Sequence, residues 1–178
     1  MSSEFNCDAE SLLALACRGD IQSLGRLLEM YRNYVKLLAS AQIHRRLEVR
    51  VSPSDVVQET FMQAHRGFSQ FRGKTEAEFI AWLRRILATR LSHLLEKHVA
   101  GKRDVRREVA LREIGVSLER STARLETVLA DGGPSPSSDA ERREHARLLA
   151  DQLADLPTDY RQVLILRNLE GMTFKEIA

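Results

Sequence analysis

Aromatic side chains make up only 6% of the 178 residues, and the chain holds nine Gly, four Pro and two Cys. So few Gly and Pro exclude a collagen-like or linker-dominated chain. Cys7 and Cys17 form neither a metal-ligand spacing nor a disulfide framework, which reads as ordinary intracellular thiols. Apolar runs such as Leu12 to Cys17 and Val163 to Leu166 fall far short of the roughly 20 residues that span a bilayer. No basic start followed by an apolar stretch opens the chain, so no secretory signal, no membrane insertion and a cytoplasmic setting are expected. Catalytic constellations are missing as well: there is no Gly-rich phosphate loop and no nucleophile elbow. His93 and His98 lie five apart and point to different sides of a helix, which is not metal-ligand spacing. The expectation is no enzyme, no cofactor and no metal.

What the chain does have is apolar content for a core, 43% of its residues, and an uneven distribution of charge. The formal net charge is only +2, yet residues 84–107 carry eight basic residues against Glu96 and Asp104. Residues 131–160 carry seven acids against three arginines. A basic stretch inside a near-neutral chain fits a phosphate-contacting surface, and it fits equally a solvated helix face.

Periodicity reads as helix almost throughout, without alternating strand patterns. Asp8 caps a helix that ends near Gly19, and Asp20 caps a second one running through Leu38. Residues 45–51 form a polar break. Ser52-Pro53-Ser54-Asp55 supplies a hydroxyl cap, a first-position proline and a first-turn acid for a helix to about Phe68. Gln70 to Thr75 is a loop around Gly73, and Thr75 caps a long helix over residues 76–98. Its apolar stripe is Phe79, Leu83, Ile86 and Leu87, continuing through Leu91, Leu94 and Leu95, with Arg85, Thr89, Ser92 and Glu96 on another face.

Residues 101–129 are charged and weakly periodic. They read as a flexible tether, or as a docking helix through Leu111, Ile114, Val116, Leu118, Leu125, Val128 and Leu129. Residues 131–138, rich in Gly, Pro and Ser, are the clearest linker. Residues 140–156 form a helix with Leu148, Leu149, Leu153 and Leu156 as its core side. Another helix follows Pro157 with Tyr160, Val163, Leu164, Leu166 and Leu169, and Thr173 to Glu176 is a capping box. The predicted architecture is all-α, with two small helical domains, residues 1–100 and 139–178, joined by the charged segment and linker of residues 101–138.

Three stretches carry a family resemblance: Asp55-Val-Val-Gln-Glu-Thr-Phe61, Phe68-Ser-Gln-Phe71-Arg-Gly73, and Phe79-Ile-Ala-Trp82-Leu-Arg-Arg-Ile86. They resemble region 2 of bacterial sigma factors, in particular the small extracytoplasmic-function group of the sigma-70 family. Leu156 to Leu166 with Glu170 to Ala178 resembles the first half of region 4, where the helix-turn-helix begins. The resemblance implies binding to core RNA polymerase, through the clamp helices of its largest subunit, by Asp55, Gln58, Glu59, Phe61 and Met62. It implies capture of the non-template strand of the promoter −10 element by Phe68, Phe71, Arg72, Lys74, Trp82, Arg84, Arg85, Thr89 and Arg90. Asp55, Gln58, Glu59 and Met62 also share a helical face, whereas Phe61 and Trp82 have core spacing. Base stacking on aromatics, about 1–3 kcal/mol per base, is the physical means of holding a melted strand without ATP. An anti-sigma factor is a further partner that the family suggests.

The sequence departs from the family pattern at Thr89 and His93, where Asn and Asp are common. Residues 173–178 supply only the opening turn of the helix-turn-helix, without a recognition helix to enter a major groove, so specific −35 reading is not expected of these residues. A second reading therefore stands beside the sigma factor: a helical module that binds polymerase or a regulator without specific DNA recognition. A repressor with a ligand domain has no supporting residues.

Overall fold

The structure, a computed structural model, describes residues 8–46, 51–98, 105–131 and 139–177. Among them every regular element is helical: α1 (Ala9–Cys17), α2 (Ile21–Met30), α3 (Arg32–Arg46), α4 (Pro53–Gly67), a 3-10 turn (Phe68–Gln70), α5 (Glu76–His98), α6 (Val105–Asp131), α7 (Asp139–Ala154), α8 (Thr158–Leu164), a π turn (Ile165–Leu169) and α9 (Phe174–Ile177). Of the linker expected over residues 131–138, Asp131 closes α6 and residues 132–138 lie outside the described residues, as do residues 47–50 of the polar break.

Local chemistry sets the N-terminal corner. Asp8 accepts the Ser11 N–H at 2.7 Å, and Asp20 accepts from the Gln22 N–H at 3.0 Å and the Ser23 hydroxyl at 2.6 Å. Between these caps Gly19 turns the chain at φ +99°, a conformation that a side chain would resist. The continuous helix expected from Asp20 to Leu38 is broken at Tyr31. The buried Tyr31 ring sits 6.1 Å from Phe79, and its hydroxyl donates to Glu76 in the first turn of α5. Burial, with the neighbouring Glu76 carboxylate, pushes the Tyr31 hydroxyl well above its ordinary pKa, so it stays a donor.

After this break α3 runs through the middle of the molecule, touching α4, α5, α6, α7 and the π turn. Leu37, Leu38, Ala39, Ala41, Gln42 and Ile43 are all buried, the signature of a helix packed nearly all round. Ser52 precedes α4 without making a side-chain cap, contrary to the expected hydroxyl cap. The helix instead opens on Pro53, with the Val56 N–H on the Ser52 carbonyl at 3.2 Å. In α5, Phe79, Leu83, Leu87 and Leu91 face the core as expected, but Ser92 joins them inside rather than lying on a polar face.

Of the two readings of residues 101–129, tether or docking helix, the structure shows the helix wherever it describes them: residues 105–131 form one helix of 27 residues. Ile114, Leu118 and Leu125 are buried at spacings of four and seven, with Ser117, Ser121 and Thr122 between them, while Leu111, Val116 and Val128 stay exposed. Short hydroxyl side chains complete this seam by bonding back to their own helix: Thr122 donates to the Leu118 carbonyl at 2.8 Å. In α7 the seam is Ala146 and Ala150, with Leu149 and Leu153 partly buried and Leu148 and Leu156 exposed. Small residues let α7 approach α3 closely, which the leucine pattern did not suggest. Beyond Pro157, α8 widens into the π turn, burying Ile165, Leu166 and Leu169 and leaving Tyr160 and Phe174 largely exposed. Arg167 lies 5.2 Å over the Phe174 ring.

Candidate nucleic-acid interface

Helix α4 presents two opposite faces. Val56, Val57, Thr60, Phe61 and Ala64 point inward, while Asp55, Gln58, Glu59 and Met62 are exposed on the outer side. The four exposed residues therefore form one continuous strip of two acids, an amide and a thioether. Phe61 does not belong to it. Its ring is buried in the core beneath the Arg32 guanidinium, 5.3 Å from the ring centre, where it follows the core spacing read in the sequence.

Following α4, the 3-10 turn folds back on α5 and gathers four aromatic rings. Phe68 stacks on Phe71 at 5.5 Å, Phe71 lies 5.2 Å from Trp82, and both Phe71 and Trp82 meet Phe79 at 6.0 Å. Phe79 is fully buried and acts as the floor. Phe68, Phe71 and Trp82 are half-buried, each keeping part of its surface at the edge of the cluster. Arg72 folds beside them, its guanidinium donating to the Ser69 carbonyl at 2.9 Å. Next to the turn lies a cavity of about 430 Å3, bordered by Phe68, Phe71 and Arg72 on one side and by Cys17, Asp20 and Leu24 on the other. Nothing in the local sequence pattern indicates it, because its two walls come from segments about 50 residues apart in the chain.

The basic residues of α5 separate by helical phase. Arg85 is exposed and Thr89 follows one turn later on the same side, its hydroxyl bonded to the Arg85 carbonyl at 3.0 Å. Arg84 lies elsewhere. Half-exposed, it lines a second cavity, of about 580 Å3, with Tyr34, Glu126, Arg142 and Arg143 between α5, α6 and α7. Arg90 is committed within the fold too, donating to Gln63 of α4 at 3.0 Å with its Nε buried and unpartnered. Lys74 is exposed in the loop. Of the nine residues singled out for DNA, the structure packs Phe68, Phe71 and Trp82 together with Arg72 beside them, leaves Lys74 and Arg85 exposed with Thr89 one turn beyond Arg85, sets Arg84 against a cavity and engages Arg90 with Gln63.

The second half of the chain is tied to the first by polar contacts. Arg143 of α7 reaches Glu76 at 3.2 Å, Asn33 of α3 donates to Asp151 at 2.9 Å, and Ser121 of α6 joins Gln42 of α3 to Glu170. Arg124 donates to the Leu169 carbonyl at 3.0 Å and packs over Gly171, whose φ of +69° disfavours any side chain. Thr173 and Glu176 make one half of the expected capping box: the Glu176 carboxylate accepts the Thr173 N–H at 2.7 Å and its hydroxyl at 2.8 Å, while the Glu176 N–H goes to the Thr173 carbonyl at 3.0 Å.

Among the described residues no group of three or more His, Cys, Asp and Glu is placed to hold a metal ion, and no helix is long and apolar enough to cross a membrane.

Comparison with known proteins finds two family matches along the chain. Residues 29–99 match the family model for sigma-70 region 2, and residues 146–178 match that for sigma-70, region 4. The chain is 27% identical over 169 residues to the ECF RNA polymerase sigma-E factor of Haemophilus influenzae, covering 95% of this chain and 81% of that protein. It is 27% identical over 170 residues to the RNA polymerase sigma-H factor of Pseudomonas aeruginosa, covering 95% of this chain and 80% of the relative. With the ECF RNA polymerase sigma-E factor of Escherichia coli it shares 28% identity over 165 residues, 90% of this chain and 76% of that one. No solved structure gives a significant match. The chain belongs to the sigma-70 family and is similar to the ECF sigma-E factors among its relatives, and its function is promoter recognition in transcription initiation. Membership implies binding to core RNA polymerase and to promoter DNA.

Proposed function

We propose that the two surfaces divide this work between them. The outer strip of α4, made by Asp55, Gln58, Glu59 and Met62, docks on the clamp helices of the largest polymerase subunit. Its acids and amide meet basic and polar partner groups, and Met62 fills an apolar notch between them. The aromatic turn and the exposed side of α5 take the non-template strand of the −10 element. An unstacked base gains about 1–3 kcal/mol by stacking on an aromatic ring, which offsets much of the cost of leaving the duplex. Arg72, Lys74 and Arg85 hold the adjacent phosphates, and Thr89 supplies a hydroxyl beside them.

The observation that carries this reading is the grouping of three half-buried aromatic rings with Arg72 and Lys74 at the start of a helix that carries Arg85. Rings fixed by their neighbours stack on a base at little further entropic cost. In this scheme the protein catalyses no reaction of its own and works in the cytoplasm with the polymerase. Residues 1–100 and 139–178 are the two functional parts, with an anti-sigma factor as a regulatory partner.

The test is permanganate reactivity of thymines in a promoter bound by polymerase and this protein. Unpaired thymines in the −10 element are expected with the natural protein and are expected to fall sharply with Trp82→Ala or Arg85→Ala. Undiminished reactivity in both variants contradicts the assignment of the strand to this surface.

A further inference from the structure

The loop that leads into α5 is held by more hydrogen bonds than a helix end requires. A capping box makes two: the cap hydroxyl accepts from the third helical N–H, and the third side chain accepts from the cap N–H. Thr75 and Glu78 make both, at 3.3 and 3.0 Å. The same Glu78 oxygen goes further, accepting the Lys74 N–H at 2.8 Å and the Thr75 hydroxyl at 3.0 Å. These bonds hold the Glu78 carboxyl below the ordinary range, with the Lys74 N–H contributing most. One residue earlier, Gly73 sits so close to the Phe71 ring and the Glu78 Cβ that an added Cβ would collide with both. Phe71, Gly73, Lys74, Thr75 and Glu78 thus form a closed unit in which ring, glycine and carboxylate fix one another.

We propose that Glu78 is a positioning residue for strand capture: by gathering the main chain at Lys74 and Thr75, it fixes the loop that carries Phe71, Arg72 and Lys74 in the form that receives the single strand. The inference rests on the reading above that this loop faces the −10 strand. Its physical basis is preorganisation. A loop free to move must be ordered at the moment of binding, and each residue fixed costs about 1–2 kcal/mol of backbone entropy. Glu78 does this ordering in advance, from a position that need not touch DNA. The proximity of Gly73 makes the arrangement selective, because only a residue without a Cβ lets the Phe71 ring lie over the loop and against Glu78.

The experiment uses polymerase holoenzyme assembled with the full chain and titrated with a fluorescent DNA whose −10 region is held open as a mismatch bubble. Glu78→Ala, Glu78→Gln, Arg72→Ala and the Glu78→Ala/Arg72→Ala pair are compared, with affinity for core polymerase measured alongside. Loss of the carboxylate is expected to weaken bubble binding about five- to tenfold, the range of a lost cap, with polymerase affinity unchanged. Glu78→Gln keeps an oxygen that accepts main-chain N–H groups and is expected to recover most of the loss. Arg72→Ala is expected to cost much less in the Glu78→Ala background than alone, because the arginine is no longer held in place. If Arg72→Ala weakens bubble binding and Glu78→Ala does not, Glu78 only caps a helix and the proposal is overturned while the site stands. Full additivity of the pair, with no recovery by Glu78→Gln, overturns it as well. If neither single variant changes bubble binding, the strand does not meet this loop, and both readings fall.

Discussion

The Ser121 hydroxyl of α6 lies 2.9 Å from the Glu170 carboxylate, and both residues are buried. Gln42 of α3 donates to the same hydroxyl at 3.4 Å, so a polar chain crosses from the middle of the region 2 part to the turn that precedes the region 4 capping box. Buried polar groups cost stability unless they are partnered, and such a chain favours one relative placement of its three elements. Glu170→Ala is expected to destabilise the fold by about 1–3 kcal/mol, the cost of stranding buried hydrogen-bonding groups, and Glu170→Gln by clearly less. Urea unfolding midpoints of the two variants check this.

Two neighbours on α4 should separate binding from folding. Gln58 and Glu59 are exposed, so replacing both with Ala is expected to shift stability by no more than about 0.5 kcal/mol for each residue. Affinity for core polymerase is expected to fall at least tenfold, or about 1.4 kcal/mol. Phe61→Ala should do the reverse, costing about 3–5 kcal/mol of stability because its ring is buried under Arg32. Thermal unfolding together with polymerase titration distinguishes the two classes.

Adjacent arginines on α5 offer a second contrast. Arg85 is exposed, whereas Arg84 lines the cavity against α6 and α7. Arg85→Ala is expected to weaken DNA binding and to reduce the slope of log affinity against log salt by about one, as for a lost phosphate contact. Arg84→Ala is expected to leave that slope unchanged. Fluorescence anisotropy across a salt series, with holoenzyme and an opened promoter fragment, provides the measurement.

The acid limb of stability has identifiable sources. Glu78 and Glu176 each sit below the ordinary glutamate value of 4.5, because main-chain N–H groups at Lys74, Thr75 and Thr173 bond to the charged form. A carboxyl whose folded pKa is depressed binds protons more readily in the unfolded chain. Its contribution is therefore present above 4.5 and is lost as the pH falls through the folded value. Asp8 and Asp20 add the same sign below 3.8, from their bonds to Ser11 and Ser23. Urea midpoints are expected to decline as pH falls below about 4.5, and Glu78→Gln and Glu176→Gln should each flatten that decline.

Much of this molecule was legible in the sequence because its signals are local. Asp8 and Asp20 cap helices as their positions suggest, Glu176 bonds back to the Thr173 N–H, and α5 spans the residues its periodicity predicts. What escaped depends on partners distant in the chain. Arg84 and Arg85 are alike in sequence, and only the placement of α6 and α7 decides that one meets a cavity and the other solvent. Residues 105–131 hid their helix because serine and threonine fill half of its buried seam, so hydrophobic periodicity was weak. Tyr31 broke a helix that propensity would have continued, since its hydroxyl bonds Glu76 across 45 residues of sequence. On α4 the spacing of Gln58, Glu59 and Met62 correctly marked an outer face, and the buried Phe61 follows the core spacing it always had. The cavity beside Phe68 could not be inferred from either of its walls alone.

The most direct measurement is reconstitution of this protein with purified bacterial core polymerase, reading polymerase binding and abortive transcripts together over a pool of promoters. Binding with initiation confined to particular promoters is expected, with initiation lost in Gln58→Ala/Glu59→Ala through weaker binding and in Arg85→Ala with binding intact. Polymerase binding without promoter-dependent transcripts would contradict the assignment of strand capture to the aromatic turn and α5, and failure to bind polymerase at all would contradict the account as a whole.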